Sequence, residues 1–242
     1  MRGWLPDWSS LSGPLWRMRW LIAALLAVDL ALLATFLRWA YVAHHGIRDS
    51  VFYGDLRFST VDGSVMESWG YAKQLVALLF LAWTAAARRS RLLAAVALLA
   101  AAILLDDALQ LHERLGLALR AGAQPWIASP AAAQFAGKLL VSGLPALIVV
   151  ICYLASRPGE KPLAHLLLAP LVLLAGFSVG VDFLHDLRLW RGGETLSSLI
   201  EDGGELLSMS ALLVAALLGA ALTRAPPPGA PAGNTVRPRP RM

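Results

Sequence analysis

Residues 104–113 read LLDDALQLHE and place four ionisable side chains in a stretch that otherwise consists of leucine, alanine and one glutamine. These side chains are Asp106, Asp107, His112 and Glu113. A charge at membrane depth costs roughly 3 kcal/mol or more unless it is paired or hydrated, so ionisable residues there mark functional sites by default. The stretch therefore indicates a membrane-embedded helix and a polar site within it.

The composition around this stretch is that of a polytopic membrane protein. Of the 242 residues, 57% are hydrophobic, and the mean hydropathy is +0.61. A soluble domain is less apolar than this. Runs of roughly 18 or more apolar residues predict transmembrane helices, and the sequence holds six, near 19–43, 69–87, 92–118, 134–156, 162–189 and 196–223. We therefore expect an all-α bundle of six transmembrane helices.

Three regions follow from these spans. Residues 1–18 are expected to form an interfacial N-terminal segment, and residues 19–223 the transmembrane domain. Residues 224–242 are rich in proline and arginine, which predicts a disordered tail whose partners are anionic lipid headgroups. The single cysteine, Cys152, excludes disulfide frameworks and cysteine-based zinc sites within one chain.

The net charge of +5 follows a topological pattern and does not indicate nucleic-acid binding. Basic residues concentrate before the first span, in the second-to-third and fourth-to-fifth turns, and in the tail. By the positive-inside rule these ends are cytoplasmic, so both termini are expected inside. The protein is accordingly predicted to be a multi-pass protein of the bacterial inner membrane.

The third span carries the first polar cluster on one helical face. In a continuous helix Asp106, Gln110 and Glu113 lie at i, i+4 and i+7. Asp107 lies beside this face, and His112 lies well off it. At the start of the second span, Glu67, Tyr71 and Gln74 share another polar face. Lys73 is expected either to snorkel outward or to pair with an acid on a neighbouring helix.

Two further clusters occupy the fifth and sixth spans. Asp182, His185 and Asp186 include a carboxylate three residues before a histidine, which is a recurrent metal-ligand spacing on helices. In the last span Glu201, Glu205 and Ser208 line one face, with Asp202 at its flank. An alternative for each cluster is an interhelical or helix-end polar contact.

The acidic residues concentrate at one side of the membrane. Of the sixteen Asp and Glu residues, only Asp7 and Glu160 are clearly cytoplasmic, and Asp29 is intermediate. Interhelical polar contacts alone would be shared between both leaflets, so the asymmetry predicts a single outward-opening polar cavity. So many carboxylates cannot all remain ionised together in a low dielectric. Protons or a divalent cation must therefore compensate them.

These considerations assign candidate roles. The candidate ligands of a divalent metal ion are Asp106, Asp182, His185, Asp186, Glu201 and Glu205. The candidate catalytic carboxylates are Glu113 and Asp107. The remaining polar residues of the site are Glu67, Tyr71, Lys73, Gln110, His112 and Asp202. Oxygen-rich sites lean to hard ions and histidine to Zn, Fe or Mn, so the identity of the metal stays open.

Several of these motifs together resemble an uncharacterised group of bacterial multi-pass membrane proteins. The similarity rests on three patterns: Asp62-Gly63-Ser64 with Glu67, Tyr71 and Lys73; Asp106-Asp107 with His112-Glu113; and Glu201-Asp202-Gly203 with Glu205. It covers most of residues 50–215. The resemblance implies membership of a family and brings no activity with it.

Three functions remain open from the sequence. The first is a metal-dependent membrane enzyme that hydrolyses a lipid or lipid-linked substrate from the periplasmic side. The second is a cation- or proton-coupled transporter or sensor, whose acids bind an ion. The third is a structural protein with interhelical polar contacts. A transporter needs acids through both leaflets, and the cytoplasmic half offers only Asp29, which favours the enzyme.

Overall fold

The computed structural model describes residues 8–60, 63–122, 130–186 and 194–224. Within these ranges the side chains of residues 8–10, 130–131, 179, 181–186 and 194 lie outside the description. The α-helices are α1 (Trp8–His45), α2 (Val65–Arg88), α3 (Arg91–Leu109), α4 (Leu111–Gly122), α5 (Pro130–Val141), α6 (Gly143–Ala155), α7 (Lys161–Asp186) and α8 (Glu194–Arg224). Short 3₁₀ helices cover Leu56–Phe58 and Pro158–Glu160.

The prediction of an all-α bundle with membrane-spanning helices is confirmed for the described residues. Five helices are long and apolar enough to cross a membrane, namely α1, α2, α3, α7 and α8. The helices α5 and α6 are bent by 43° and provide a sixth span if they are taken together. The bend falls at Ser142, just before Pro145. Because proline has no N–H to donate to the carbonyl four residues earlier, it weakens the helix at this point, which explains the bend.

The helix α8 lies at the centre of the bundle. It packs against α1, α2 and α7, while α3 packs against α2 and α6. Leucines from four helices meet in the shared core, which includes the fully buried Leu81, Leu92, Leu167 and Leu212. In a membrane, where lipid is as apolar as leucine, close packing holds such helices together. Gly204 contributes to it, because a Cβ there would overlap the ring of Phe177 on α7.

Contacts between turns show which ends of the helices lie together. Ser90, the N-cap of α3, donates a hydrogen bond to the carboxylate of Glu160 beside the start of α7. Arg88 at the end of α2 donates to Oγ1 of Thr223 near the end of α8, at 2.8 Å. The basic turns and the end of the last span therefore share one end of the bundle, as the charge pattern predicts.

The third span differs from its prediction. A continuous helix over 92–118 is wrong, because α3 ends at Leu109 and α4 begins at Leu111. Gln110 between them has a left-handed backbone, with φ of 52°, and its N–H reaches the carbonyls of Asp106 and Asp107. A left-handed residue with a side chain costs about 1 kcal/mol or more. The hydrogen bond that the Asp106 carboxylate accepts from the N–H of His112 in the next helix offsets this cost.

Candidate functional site

An acidic cavity of about 220 Å³ lies at the end of the bundle opposite the basic turns. The cavity is bordered by the start of α2, the α3–α4 break, α5, the C-terminal half of α7 and residues 202–209 of α8. It gathers eight of the residues predicted for the site, namely Glu67, Tyr71, Asp107, Gln110, His112, Glu113, Asp202 and Glu205. Its lining also includes Lys138 and Ser178, which were not among the predicted site residues. A lysine near the outer start of an apolar span was the available signal for Lys138.

The start of α2 holds one wall of the cavity in place. Ser64 caps the helix, its Oγ accepting from the N–H of Glu67 at 3.2 Å. The carboxylate of Glu67 accepts from the N–H of Gly63 and from the hydroxyl of Tyr71. This reciprocal arrangement is close to a capping box. Glu67 is therefore both a helix-capping residue and a cavity-lining carboxylate.

The break after α3 creates the second wall. Oδ1 of Asp106 accepts from the N–H of His112 at 2.7 Å and lies 3.1 Å from Nδ1 of the same residue. A carboxylate at a helix N-terminus satisfies an otherwise unpaired N–H and suits the helix dipole. Asp106 is thus buried at the break and does not line the acidic cavity, and the predicted face of Asp106, Gln110 and Glu113 does not form as one helical stripe. Instead the break brings His112 into the wall beside Glu113.

Close backbone packing fixes the position of α4. The helices α4 and α5 pack tightly against each other. A Cβ at Gly137 would overlap the carbonyl oxygen of His112, and a Cβ at Gly116 would crowd the carbonyl of Ala133. Glycines at both contacts therefore allow α4 to approach α5, which places His112 on the same cavity as Lys138.

The charges of the cavity meet around Asp107. This carboxylate interacts electrostatically with the carboxylates of Glu205 and Asp106. Compensating interactions come from Lys138 and from His112. The Lys138 ammonium in turn donates to Oγ of Ser178 on α7 at 3.2 Å. Acids from α3 and α8 and a cation from α5 are therefore brought within electrostatic range of one another.

The face that α8 turns to the cavity is not the predicted one. Asp202, Glu205, Leu206 and Met209 line the cavity, at i, i+3, i+4 and i+7. Asp202 therefore lies on the lining face and not at its flank, whereas Glu201 is not among the lining residues. Ser208 points back into its own helix, where its hydroxyl donates to the carbonyl of Gly204 at 2.7 Å.

A buried ion pair lies directly beneath the floor of the cavity. Lys73 Nζ is 2.8 Å from Oδ1 of Asp29, and their side chains are 1% and 0% exposed. The ammonium also donates to Oγ of Ser210 at 2.8 Å and to the carbonyl of Leu206 at 2.7 Å. Leu206 also lines the cavity, so this residue connects the cavity floor with the ion pair.

The same ion pair joins three helices. Trp69 on α2 donates to Oδ1 of Asp29 on α1 at 2.9 Å, and Ser210 on α8 donates to Oδ2. The expectation that Lys73 pairs with an acid on a neighbouring helix is confirmed, which places it below the cavity and not in its lining. Two isolated opposite charges in separate spans were the signal for this pair, but the sequence could not show that their depths match.

Three of the six candidate metal ligands, Asp106, Glu201 and Glu205, have side chains that the structure describes. The other three, Asp182, His185 and Asp186, belong to α7, but their side chains lie outside the described residues. Within the described part of the chain, no three His, Cys, Asp or Glu side chains are close enough to hold a metal ion. The prediction of a metal site therefore stays a prediction, and it depends on what α7 contributes.

The loop between α1 and α2 contains an ion pair that is separate from the cavity. Arg57 donates to both carboxylate oxygens of Asp55, with its Nη2 2.6 Å from Oδ2. The side-chain hydrogen bond from Arg57 holds the pKa of the Asp55 carboxyl below its ordinary value. Exposed pairs of this kind contribute little stability, and this pair serves as a reference for acids outside the cavity.

Fold and site together define a class: this is a polytopic α-helical membrane protein with an acidic cavity at one end of its helix bundle. Residues 18–220 match the family described as Domain of unknown function (DUF8692), and the chain belongs to that family. The expected membership of an uncharacterised family is thereby confirmed. Searches of curated proteins and of solved structures found no significant match.

Proposed function

We propose that the acidic cavity binds positive charge and serves the hydrolysis of a lipid or lipid-linked substrate. The observation that carries the proposal is the convergence of five carboxylates with one lysine among the described lining residues. Carboxylates in a low dielectric repel one another unless cations or protons compensate them. The cavity therefore favours cations over anions.

A divalent cation is the proposed compensating charge and cofactor. Glu205, a predicted metal ligand that lies in the cavity lining, would provide a carboxylate oxygen, which hard cations prefer. Positions 182 and 185 follow Ser178 at i+4 and i+7 in α7, so this helix is the proposed source of the remaining ligands. A divalent cation held there would supply Lewis-acid chemistry, that is, it would polarise a substrate oxygen and make water a better nucleophile.

Two carboxylates are proposed as general bases for this reaction. Asp107 and Glu113 both line the cavity, and they come from either side of the α3–α4 break. A general base must lie within hydrogen-bond reach of the proton that it abstracts. Lys138, also in the lining, would stabilise negative charge on the substrate.

The proposed location is the bacterial inner membrane, with both termini in the cytoplasm. Support comes from the shared end of the basic turns, which the positive-inside rule assigns to the cytoplasm. The acidic cavity would then open to the periplasm. Labelling of single cysteines in intact cells tests this, since a cysteine at position 53 should react with an impermeant reagent and one at position 89 should not. The reverse pattern would overturn the proposed orientation.

The metal is tested with purified protein in detergent. A ligand that binds only the native state at a hundredfold excess over Kd stabilises by about 2.7 kcal/mol. We expect stoichiometric metal in the wild type and a lower melting temperature after chelation. Asp107→Asn and Glu205→Gln should weaken both effects, whereas Asp55→Asn, outside the cavity, should leave both unchanged. Absence of metal together with indifference to chelator would refute the metal-dependent enzyme.

The second candidate is a proton-coupled transporter or sensor, which the buried ion pair favours. Lys73 and Asp29 lie below the cavity floor and extend the line of ionisable groups deeper into the bundle. Ionisable side chains at this depth in a membrane protein occur in proton relays. In proteoliposomes with an internal pH dye, Asp29→Asn should abolish proton movement across the membrane. Equal proton movement in wild type and variant would exclude this role for the pair.

A further inference from the structure

An apolar groove of about 320 Å³ adjoins the acidic cavity. It lies between α3, α5, α6 and α7, with Ile103, Leu139 and Leu171 among the residues that line it. Phe135, Leu139 and Val172 along it are 46%, 55% and 68% exposed, so it opens on the outer surface of the bundle. In a spanning helix bundle this surface faces lipid, and hydrocarbon is the medium that contacts the groove.

The groove results from the bend between α5 and α6. Ser142 and Gly143 at the bend, and Ala146 one turn later, present small side chains to it. Ala175 does the same from α7. Because the kinked segment bends by 43° and its neighbours are small, the space between these helices is not filled by the protein's own side chains.

Three residues line both spaces. Asp107, Lys138 and Ser178 belong to the lining of the apolar groove and also to that of the acidic cavity. A path from the lipid surface therefore runs first along leucine and phenylalanine, then to the Lys138 ammonium beside Asp107, and then among the other carboxylates. The surfaces along this path are first apolar, then of mixed charge with one ammonium, and finally negative.

We infer that the two spaces together hold one zwitterionic, amine-bearing phospholipid. Its acyl chain lies in the groove, its phosphate beside Lys138, and its primary ammonium among the carboxylates of the cavity. The inference rests on the proposed function, because it names the substrate class of the same cavity. The order of tail, phosphate and ammonium matches the order of surfaces.

Charge selects this lipid over an anionic one with the same chains. An ammonium group donates three hydrogen bonds, and the cavity supplies carboxylate acceptors from α2, α3, α4 and α8. Even with one divalent cation bound, the five carboxylates outnumber the positive charges of Lys138 and that cation. With a headgroup that carries no positive charge the acids must bind protons instead, whereas an ammonium reduces the repulsion between the ionised carboxylates.

The inference is tested by lipid retention of the purified full chain, measured by native mass spectrometry. Phosphatidylethanolamine and phosphatidylglycerol with identical acyl chains compete for the protein in detergent. Phosphatidylethanolamine should be retained about tenfold more strongly, the size expected for a charge-assisted hydrogen bond. Lys138→Met should lower retention of the aminolipid by a similar factor.

Two alanines on α7 provide a matched pair for the groove. Ala175 lines it, whereas Ala169 lines a second apolar groove between α1, α7 and α8. Ala175→Trp should fill the first groove and reduce retention of phosphatidylethanolamine, while Ala169→Trp should not. Equal effects of the two substitutions, or equal retention of the two lipids, would show general solvation by lipid and overturn the inference.

A chelator separates this inference from the proposed metal-dependent function. Selective retention of phosphatidylethanolamine that survives chelation, with no metal detected, would support the lipid site and refute the metal cofactor. Stoichiometric metal without lipid selectivity would refute the lipid site and leave the metal-dependent function standing. The variants Lys138→Met, Ala175→Trp and Ala169→Trp are single substitutions in the full chain. Their melting temperatures show whether they are folded.

Discussion

Removing the charge of Lys73 is expected to destabilise the bundle strongly. In Lys73→Met, the Asp29 carboxylate loses its ion pair, with Nζ at 2.8 Å, and keeps only the hydrogen bonds from Trp69 and Ser210. Breaking a buried pair by removing one partner costs about 3–5 kcal/mol, because the remaining charge is buried without compensation. At about 2–4 °C per kcal/mol for a chain of this size, the melting temperature should fall by roughly 6–20 °C.

The double substitution distinguishes an uncompensated charge from lost packing. Asp29→Asn removes the negative charge and keeps one acceptor oxygen for the N–H of Trp69, while its amide NH2 can donate to the hydroxyl oxygen of Ser210. Combined with Lys73→Met it leaves no charge in the network, so the double variant should be less destabilised than the sum of the two single ones. A coupling free energy of about 1–3 kcal/mol is expected for groups in direct contact.

The assay is tryptophan-fluorescence melting of the purified variants in one detergent. Ser208→Ala provides the control, since its hydroxyl bonds only within α8, to the carbonyl of Gly204, and its loss should cost less than about 1 kcal/mol. Strictly additive losses in the double variant would refute the reasoning, because they would mean that Asp29 and Lys73 contribute independently. Wild-type stability in Lys73→Met would refute it as well.

Three further substitutions test local features of the structure by the same melting assay. Asp106→Ala should cost about 1–2 kcal/mol by removing the cap of α4, while Asp106→Asn, which can still accept, should cost much less; equal losses would argue against capping. Gly137→Ala should cost about 1–3 kcal/mol through overlap with the backbone of His112, whereas Gly176→Ala, with nothing near its Cβ, should not destabilise. Gln74 is fully buried and its amide atoms have no hydrogen-bond partner among the described residues. Gln74→Leu should therefore stabilise the protein by about 1–3 kcal/mol, and a loss of stability would indicate that the amide has a hydrogen-bond partner after all.

Hydropathy was sufficient to predict the apolar helices, but not the break in the third span at Gln110. The runs of apolar residues are as long as a bilayer is thick, and a spanning chain must satisfy its backbone hydrogen bonds internally, so helices follow from composition alone. The kink near Pro145 was predictable for a similarly local reason, since proline lacks the N–H that the preceding turn requires. The clustering of acids at one end was also readable, because helix direction alternates from span to span.

Tertiary structure alone decided how these acids are used. The Asp106 carboxylate turns to cap α4, and this breaks the helix at Gln110 and moves His112 into the cavity. Periodicity assumes an unbroken helix and cannot report such a break. Lys73 and Asp29 are 44 positions apart in the sequence, and Lys138 reaches the cavity from α5. Hydropathy and spacing determine which residues lie at membrane depth, but packing between helices determines which of them meet, because that depends on side-chain contacts between segments distant in the chain.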